Sequence, residues 1–92
     1  MYYEFEWDEF NILHATEHGI SIKEIEECFD NEHLVVAKPR SLKKHGEQRH
    51  YLLGRTSGNK SIFLVFKKLI ENRVRVISAR LMKKTEERKY EV

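Results

Sequence analysis

Apolar and acidic side chains alternate at the start of the chain. Three aromatic residues occupy every second position, with carboxylates between them: Tyr3, Phe5 and Trp7. This period of two is typical of a half-buried strand. Asp8 can then cap a helix, which the pattern predicts from about Glu9 to His18 before a stop at Gly19.

Two helices are predicted in the first third of the chain, each with an apolar stripe expected to enter the core. In the first helix, this stripe is expected to consist of Phe10, Ile12 and Leu13. Ser21 begins the second helix, because its spacing to Glu24 forms a capping box. Apolar residues then recur at three-to-four spacing, at Ile22, Ile25, Cys28 and Phe29. Asp30 and Asn31 are expected to end this helix.

The remaining two thirds of the chain are predicted to form strands and a final helix. The strands are expected at Leu34–Lys38, Arg49–Arg55, Ser61–Lys68 and Arg73–Arg80, and the charged helix at Lys83–Tyr90. Short turns between the last three strands predict an antiparallel meander. The third of these four strands is apolar on both faces and should lie centrally. The prediction is an α+β fold: two N-terminal helices, with or without a short preceding strand, a three- to four-stranded antiparallel sheet and a short C-terminal helix.

Length and composition favour one folded domain over residues 1–92. The 92 residues are 40% hydrophobic, which is enough for a single core. The longest apolar run is too short to cross a membrane, and the acidic, aromatic N-terminus does not resemble a secretory signal. The single cysteine cannot form an internal disulfide, so we expect a reducing, cytoplasmic location and no membrane partner.

The net charge of +2 conceals a strong asymmetry along the chain. Residues 1–32 contain ten acidic residues and one lysine, a net charge of −9. Residues 33–92 contain sixteen Lys or Arg and five Glu, a net charge of +11. Such a basic block attracts polyanions, although a solvated surface of paired charges produces the same composition. We expect the acidic helices to lie opposite an RNA-binding face.

Two motifs in the helical region could carry metal or thiol chemistry. His14, Glu17 and His18 match the H-x-x-E-H pattern of inverted zinc proteases. We favour a structural interpretation, in which His18 ends the helix at the negative end of its dipole. Cys28 lies on an apolar helix face, which favours a buried small hydrophobe. No glycine-rich phosphate loop is present in the sequence, and we predict no cofactor.

The most informative basic stretch is the last strand. Strict alternation would place Val74, Val76, Ser78 and Arg80 on one face and Arg73, Arg75, Ile77 and Ala79 on the other. Either assignment brings an arginine close to the interior, where it requires an anionic partner. That partner is either a phosphate or an internal carboxylate, and the internal candidates are Glu47, Glu86 and Glu87.

The chain resembles the BrnT-type toxins from about Tyr3 to Tyr90. In the first third, the matching residues are Trp7, Asp8, Asn11, His18, Gly19, Ile20, Ser21, Glu24 and Phe29. In the remainder, they are Gly46, Glu47, Gln48, Arg49, Gly54, Ile77, Ser78, Ala79, Arg80, Glu86 and Tyr90. The I-S-A-R segment, followed at fixed spacing by Glu86 and Tyr90, is the most specific part.

This resemblance implies a RelE-like fold and a ribonuclease toxin of a type II toxin–antitoxin pair. A BrnA-like antitoxin would neutralise the toxin in a hetero-oligomer that binds operator DNA through the antitoxin. Such RNA cleavage uses the ribose 2′-OH to attack the adjacent phosphate without a metal, and it needs cations for the developing charge. The expected cations are Arg49, Arg75 and Arg80. Glu47 or His50 is the expected base, and Tyr90 or His50 the expected acid.

Further basic residues are predicted to bind RNA outside the reacting centre. They are Lys38, Arg40, Lys43, Lys44, Arg55 and Lys84. The lysine-rich loop departs from the family, which often has acidic or polar residues there, and Leu81-Met82 replaces a small or polar pair. Tyr51 could stack a base, as could Trp7, although core packing is favoured for Trp7. The alternatives to an enzyme are a non-catalytic module that binds RNA or protein through the basic sheet face, and a structural subunit.

Overall fold

The computed structural model describes residues 3–37 and 49–91, which form three helices and one five-stranded sheet. The elements in chain order are β1 (Glu4–Phe5), α1 (Glu9–Thr16), α2 (Ile22–Asp30), β2 (His33–Ala37), β3 (Arg49–Arg55), β4 (Ser61–Lys68), β5 (Arg73–Leu81) and α3 (Lys84–Glu91). The predicted α+β class is confirmed, with a larger sheet than expected. None of the helices in these two ranges is long and apolar enough to cross a membrane.

The two N-terminal helices begin at the capping residues that the sequence predicted. The Asp8 carboxylate accepts hydrogen bonds from the backbone N–H groups of Phe10 and Asn11, and the Asn11 side chain accepts one from the backbone N–H of Asp8. Ser21 and Glu24 form the corresponding capping box of α2. Each box satisfies backbone donors that a helix N-terminus otherwise leaves without a partner.

The strand order is β1-β5-β4-β3-β2, so β4 occupies the centre as expected. The pairs β2–β3, β3–β4 and β4–β5 are antiparallel, and they confirm the predicted meander. The short strand β1 adds a parallel partner at the β5 edge and makes the sheet mixed. Beyond β1, the Asn11 amide continues this edge by donating to the backbone carbonyls of Glu6, at 2.8 Å, and Val76, at 3.2 Å.

The hydrophobic core lies between α2 and one face of the sheet, here called the core face. The sheet contributes Leu52, Ile62, Leu64, Phe66, Val74, Val76 and Ala79, and α2 contributes Ile25, Cys28 and Phe29. Gly54 permits close contact between the two layers, because a Cβ at this position would lie 3.2 Å from the backbone carbonyl oxygen of Cys28.

The apolar stripe predicted for α1 is wrong. Phe10 and Leu13 are 76% and 68% exposed, whereas Asn11 and Ala15 are buried. The physical reason is the β5 edge, which requires a hydrogen-bond donor where β1 has ended. Asn11 supplies that donor, and Ala15, on the same side of the helix, is small enough for close approach. The orientation of α1 is therefore set by a polar contact rather than by its largest apolar residues.

The strict alternation predicted for β5 is also wrong. Val65 pairs with Ser78, but the next residue, Phe66, pairs with Val76, so Ile77 is an extra residue in β5. One extra residue reverses the alternation of side chains beyond it. As a result, Arg75 and Arg80 lie on the same face of the sheet, although five positions separate them.

Candidate functional site

Among the described residues, the sheet face opposite the core carries six cationic side chains and is here called the basic face. In β4 the buried residues alternate with less buried ones, which places Phe63, Val65 and Lys67 on this face. Cross-strand pairing and alternation assign the other cations to it: Arg49, Arg55, Arg73, Arg75 and Arg80. The sheet thus gathers residues from three strands that are distant in sequence.

Three of these cations form a row across the sheet. Arg49 lies directly opposite Lys67, and Lys67 lies directly opposite Arg75. Adjacent strands are about 4.8 Å apart, so the three side chains lie close together on one face of the sheet. A group of cations of this kind can attract a polyanion.

Two carboxylates neutralise the Arg75 end of the row. Its guanidinium donates two hydrogen bonds to Asp8, at 2.7 and 3.1 Å, and a third to Glu6, at 3.1 Å. These bonds lower the pKa of Asp8 to about 2 and raise that of Arg75. The N-terminal acids therefore do not all lie opposite the basic face as expected, because two of them pair with a cation on it. Arg75 has much of its charge compensated before any phosphate could bind.

A cleft of about 270 Å³ lies on the basic face where α3 crosses the sheet. Its lining comprises Val36, Tyr51, Leu53, Phe63, Arg80, Glu86 and Lys89. The rings of Tyr51 and Phe63, here called the Tyr51–Phe63 floor, lie 5.0 Å apart with an angle of 54° between their planes. Aromatic side chains can stack on an unstacked nucleobase, and a neighbouring cation can bind its phosphate.

Arg80 forms the charged wall of the cleft. Its Nη1 and Nη2 atoms donate to the two carboxylate oxygens of Glu86, at 2.9 and 2.8 Å, and its guanidinium lies 4.3 Å from the Phe63 ring centroid. This pair holds the pKa of Glu86 below its usual range and that of Arg80 above it. The internal Arg–Glu pair that the sequence offered as an alternative to a phosphate is therefore present.

The ion pair with Glu86 engages the edge of the Arg80 guanidinium formed by Nη1 and Nη2, and it does not engage the edge formed by Nε and Nη2. Nη1 also donates to the backbone carbonyl of Leu81, at 3.1 Å. Within the described part of the chain, no hydrogen bond involves the Arg80 Nε–H or the second Nη2–H. Those two donors form a parallel fork that fits two oxygens of a phosphate. The side chain of Arg80 lines the cleft and is 32% exposed.

Besides the Arg80–Glu86 pair, two contacts of Tyr90 hold helix α3 over the end of the sheet. The Tyr90 hydroxyl donates to the backbone carbonyl of Glu32, at 2.9 Å, and the Arg55 guanidinium lies 5.3 Å from the Tyr90 ring centroid. These contacts bring both predicted residues to the cleft side of the sheet. The same hydrogen bond occupies the proton that Tyr90 would transfer as an acid. Lys84, at the first position of α3, is exposed.

His50 lies on the core face, away from the arginines. Its ring stacks on buried Phe66, with the ring centroids 5.5 Å apart, whereas its neighbour Arg49 lies on the basic face. The structure therefore does not bring His50 together with Arg80. Five other predicted site residues lie outside the described residues: Lys38, Arg40, Lys43, Lys44 and Glu47.

The remaining candidate motifs have structural environments. Helix α1 ends at Thr16, so His14 and His18 do not share the helix that the H-x-x-E-H pattern requires. In residues 3–37 and 49–91, no group of three His, Cys, Asp or Glu side chains is placed to hold a metal ion. Cys28 is fully buried, which raises its pKa to about 12. Trp7 packs against the core and donates to Glu26, as favoured from the sequence.

Sequence reasoning missed Lys67, Phe63 and Lys89 as parts of this surface. Lys67 and Phe63 belong to β4, whose sequence predicts burial of both faces. Only the pairing register between strands shows which residues lie opposite them. The sequence indicates that Glu86 belongs to a family motif and can pair with an arginine, but it does not indicate that Glu86 lines a cleft. Its spacing of six from Arg80, across a strand end and the first turn of a helix, was the available signal.

A family model described as the ribonuclease toxin BrnT of a type II toxin–antitoxin system matches residues 7–86. The match includes the cation row, Arg80 and Glu86, and it stops short of Tyr90. No curated protein sequence matches the chain significantly.

Proposed function

Because the chain belongs to the BrnT family of ribonuclease toxins of type II toxin–antitoxin systems, we propose that it is a metal-independent endoribonuclease whose active site is the cleft on the basic face. A BrnA-like antitoxin neutralises it in a hetero-oligomer, and the antitoxin carries that complex to operator DNA. The observation that carries the proposal is the guanidinium of Arg80, which lines the cleft together with Tyr51 and Phe63 and lies over the Phe63 ring.

In the proposed reaction, the ribose 2′-oxygen attacks the adjacent phosphorus. A new 2′-O–P bond forms, the bond from phosphorus to the 5′-oxygen breaks, and the products are a 2′,3′-cyclic phosphate and a 5′-hydroxyl. Negative charge accumulates on the phosphoryl oxygens in the transition state. Fixed cations stabilise that charge more than the charge of the ground state, which is how they accelerate the reaction.

Arg80 is the cation proposed to contact the reacting phosphate. Glu86 holds one edge of the guanidinium, so the remaining edge is oriented before RNA binds and little reorganisation is needed. Arg49 and Lys67 lie about 13 Å further along the strands, four residues from Phe63 in β4, where they would contact a neighbouring phosphate of the same RNA strand. Arg75 contributes less in this proposal because Asp8 and Glu6 compensate its charge.

Proton transfer has fewer suitable groups than charge stabilisation. Glu86 is a weak base because Arg80 holds its pKa low. His50 stacks on Phe66 on the core face, which removes it from this reacting centre. Glu47 therefore keeps the proposed role of base, and Tyr90 serves as acid only after its hydroxyl leaves the Glu32 carbonyl. Most of the rate enhancement is accordingly assigned to the cations.

The test compares two arginines of the same strand. Arg80→Ala should lower the rate of RNA cleavage in EDTA by about 100-fold or more, since loss of one charge-stabilising donor typically costs this much. Arg80→Lys should recover only part of the rate because lysine has no fork. Arg73→Ala is the matched control, because Arg73 is exposed on the same face at the other end of β5, and within residues 3–37 and 49–91 its one ion pair is with Glu4, at 3.8 Å.

Full activity in Arg80→Ala would contradict the site assignment. If wild-type protein binds RNA but never cleaves it in EDTA, the alternative of a non-catalytic binding module is favoured. A second measurement tests toxicity: the wild-type chain should inhibit growth when it is expressed without its antitoxin.

A further inference from the structure

Helix α1 presents two large apolar side chains to solvent. Phe10 and Leu13, here called the α1 patch, are 76% and 68% exposed. A spacing of three residues places them next to each other on one face of the helix. Single exposed apolar residues are ordinary, but adjacent exposed aromatic and aliphatic side chains favour a contact with a partner.

The fold itself does not require these two residues. The side of α1 that faces the protein carries Asn11 and Ala15, both buried, and the amide of Asn11 anchors the helix to the β5 edge. Phe10 and Leu13 lie away from that side. Replacing them with polar residues should therefore leave the fold intact, so a role in binding can be separated from a role in stability.

The surroundings of the α1 patch are acidic. The chain has no Lys or Arg before Lys23, and five carboxylates precede it: Glu4, Glu6, Asp8, Glu9 and Glu17. Glu9 and Glu17 lie in and just after α1, and the nearby carboxylates of Asp8 and Glu6 share the single cation of Arg75. This charge repels RNA phosphates and attracts a basic partner.

We propose that the α1 patch is the docking site for a basic amphipathic segment of the antitoxin. Apolar side chains of that segment would cover Phe10 and Leu13, and its Lys or Arg residues would lie against Glu9 and Glu17. Apolar anchors supply affinity at such an interface, while the charges supply orientation and a fast association rate. This inference rests on the proposed function only in that the chain acts together with an antitoxin.

The experiment uses the full chain and the purified antitoxin encoded by the neighbouring reading frame. Phe10→Ser/Leu13→Ser should raise the Kd of the complex by at least about tenfold. Glu9→Lys/Glu17→Lys should raise the Kd and flatten its dependence on salt. Ile70→Ser is the matched control, because Ile70 is 77% exposed in the β4–β5 turn, and its Kd should equal that of the wild type. RNA cleavage is measured on the same preparations.

An unchanged Kd in Phe10→Ser/Leu13→Ser would overturn the inference, as would failure of the wild type to bind the antitoxin. If instead the wild-type chain dimerises alone and this variant is monomeric, the patch serves self-association and the inference is wrong. The experiment distinguishes failure of the docking-site proposal from failure of the ribonuclease proposal. Loss of antitoxin binding in a chain that never cleaves RNA supports the docking site and contradicts the ribonuclease proposal. Loss of cleavage without loss of binding contradicts the docking site.

Discussion

The Arg80–Glu86 pair allows a quantitative prediction about the cleft wall. Replacing Glu86 with Gln keeps the shape of the side chain and removes its charge. The carboxylate accepts two hydrogen bonds from Arg80 and one, at 2.8 Å, from the backbone N–H of Lys83 at the start of α3. Gln has one acceptor oxygen, so it can replace only part of this set.

The expected loss of stability follows from the burial of the pair. The side chains of Arg80 and Glu86 are 32% and 21% exposed, so the pair is neither fully screened nor fully desolvated. A hydrogen bond to a charged group contributes about 1.5–3 kcal/mol, and partial exposure reduces that value. We therefore expect Glu86→Gln to lower the free energy of unfolding by about 1.5 kcal/mol, or Tm by roughly 6–12 °C.

The pH dependence gives the prediction a second, independent test. Glu86 has a lowered pKa in the folded protein, so its contribution is fully present above the unfolded pKa near 4.5 and is lost as the pH falls through the folded value. Thermal denaturation followed by circular dichroism at pH 7 and at pH 3 should show a smaller difference in Tm between wild type and Glu86→Gln at pH 3 than at pH 7. Cleavage at pH 7 should also slow, because Arg80 loses the group that orients it.

Glu87→Gln is the matched control for this experiment. Glu87 is the next residue of α3, and no hydrogen bond or ion pair involves its side chain within the described ranges. Its substitution should leave Tm almost unchanged. A difference in Tm between wild type and Glu86→Gln that is as large at pH 3 as at pH 7 would contradict the role of the Glu86 charge, as would equal Tm values for the two variants at pH 7.

Three further predictions concern the elements that support the site. Asp8→Asn should lower Tm by a few degrees above pH 4 and have little effect near pH 2, because the fold lowers the pKa of Asp8 from its ordinary value of 3.8 to about 2. Equal melting curves for wild type and variant at pH 7 would contradict a stabilising ion pair between Asp8 and Arg75. Gly54→Ala should destabilise the protein by about 1–3 kcal/mol in denaturant titration, since its Cβ would lie 3.1 Å from a Leu52 methyl group and 3.2 Å from the Cys28 carbonyl; unchanged stability would show that the α2–β3 contact is looser than the structure indicates. Cys28 should react with a thiol reagent in the native protein only as fast as the fold opens, because burial raises its pKa to about 12; reaction at the rate of a solvent-exposed thiol would contradict its placement.

The regular elements were largely readable from the sequence. The strand bounds Arg49–Arg55 and Ser61–Lys68 agree with the structure, and the capping residues Asp8 and Ser21 both begin helices as predicted. These features depend on local chemistry: turn residues, period-two patterns and side chains that accept backbone N–H groups. The central position of β4 followed from its two apolar faces.

The features that create the candidate site depend on contacts between distant residues. The orientation of α1 is set by the bond between Asn11 and the carbonyl of Val76, 65 positions away. The shared face of Arg75 and Arg80 depends on one extra residue, Ile77, which no periodicity reveals. The arginines could be named from chemistry and resemblance, but their common face could not.

The separation of His50 from Arg80 has the same origin. Both types of side chain suit RNA cleavage, and the sequence alone gave no reason to divide them. Register places Arg49 opposite Lys67 and therefore turns His50 to the core face, where Phe66 stacks on it. A change of one position in register would have reversed the two assignments.

The end-group chemistry of a cleaved RNA tests the proposed ribonuclease activity of the cleft most directly. A defined RNA oligonucleotide is incubated in EDTA with the purified wild-type chain and with Arg80→Ala, and the product ends are identified by mass spectrometry. The wild type should produce 2′,3′-cyclic phosphate and 5′-hydroxyl ends, and Arg80→Ala should form them about 100-fold more slowly. An intact RNA with the wild type, products with 5′-phosphate ends, or equal rates for the two proteins would contradict the proposal.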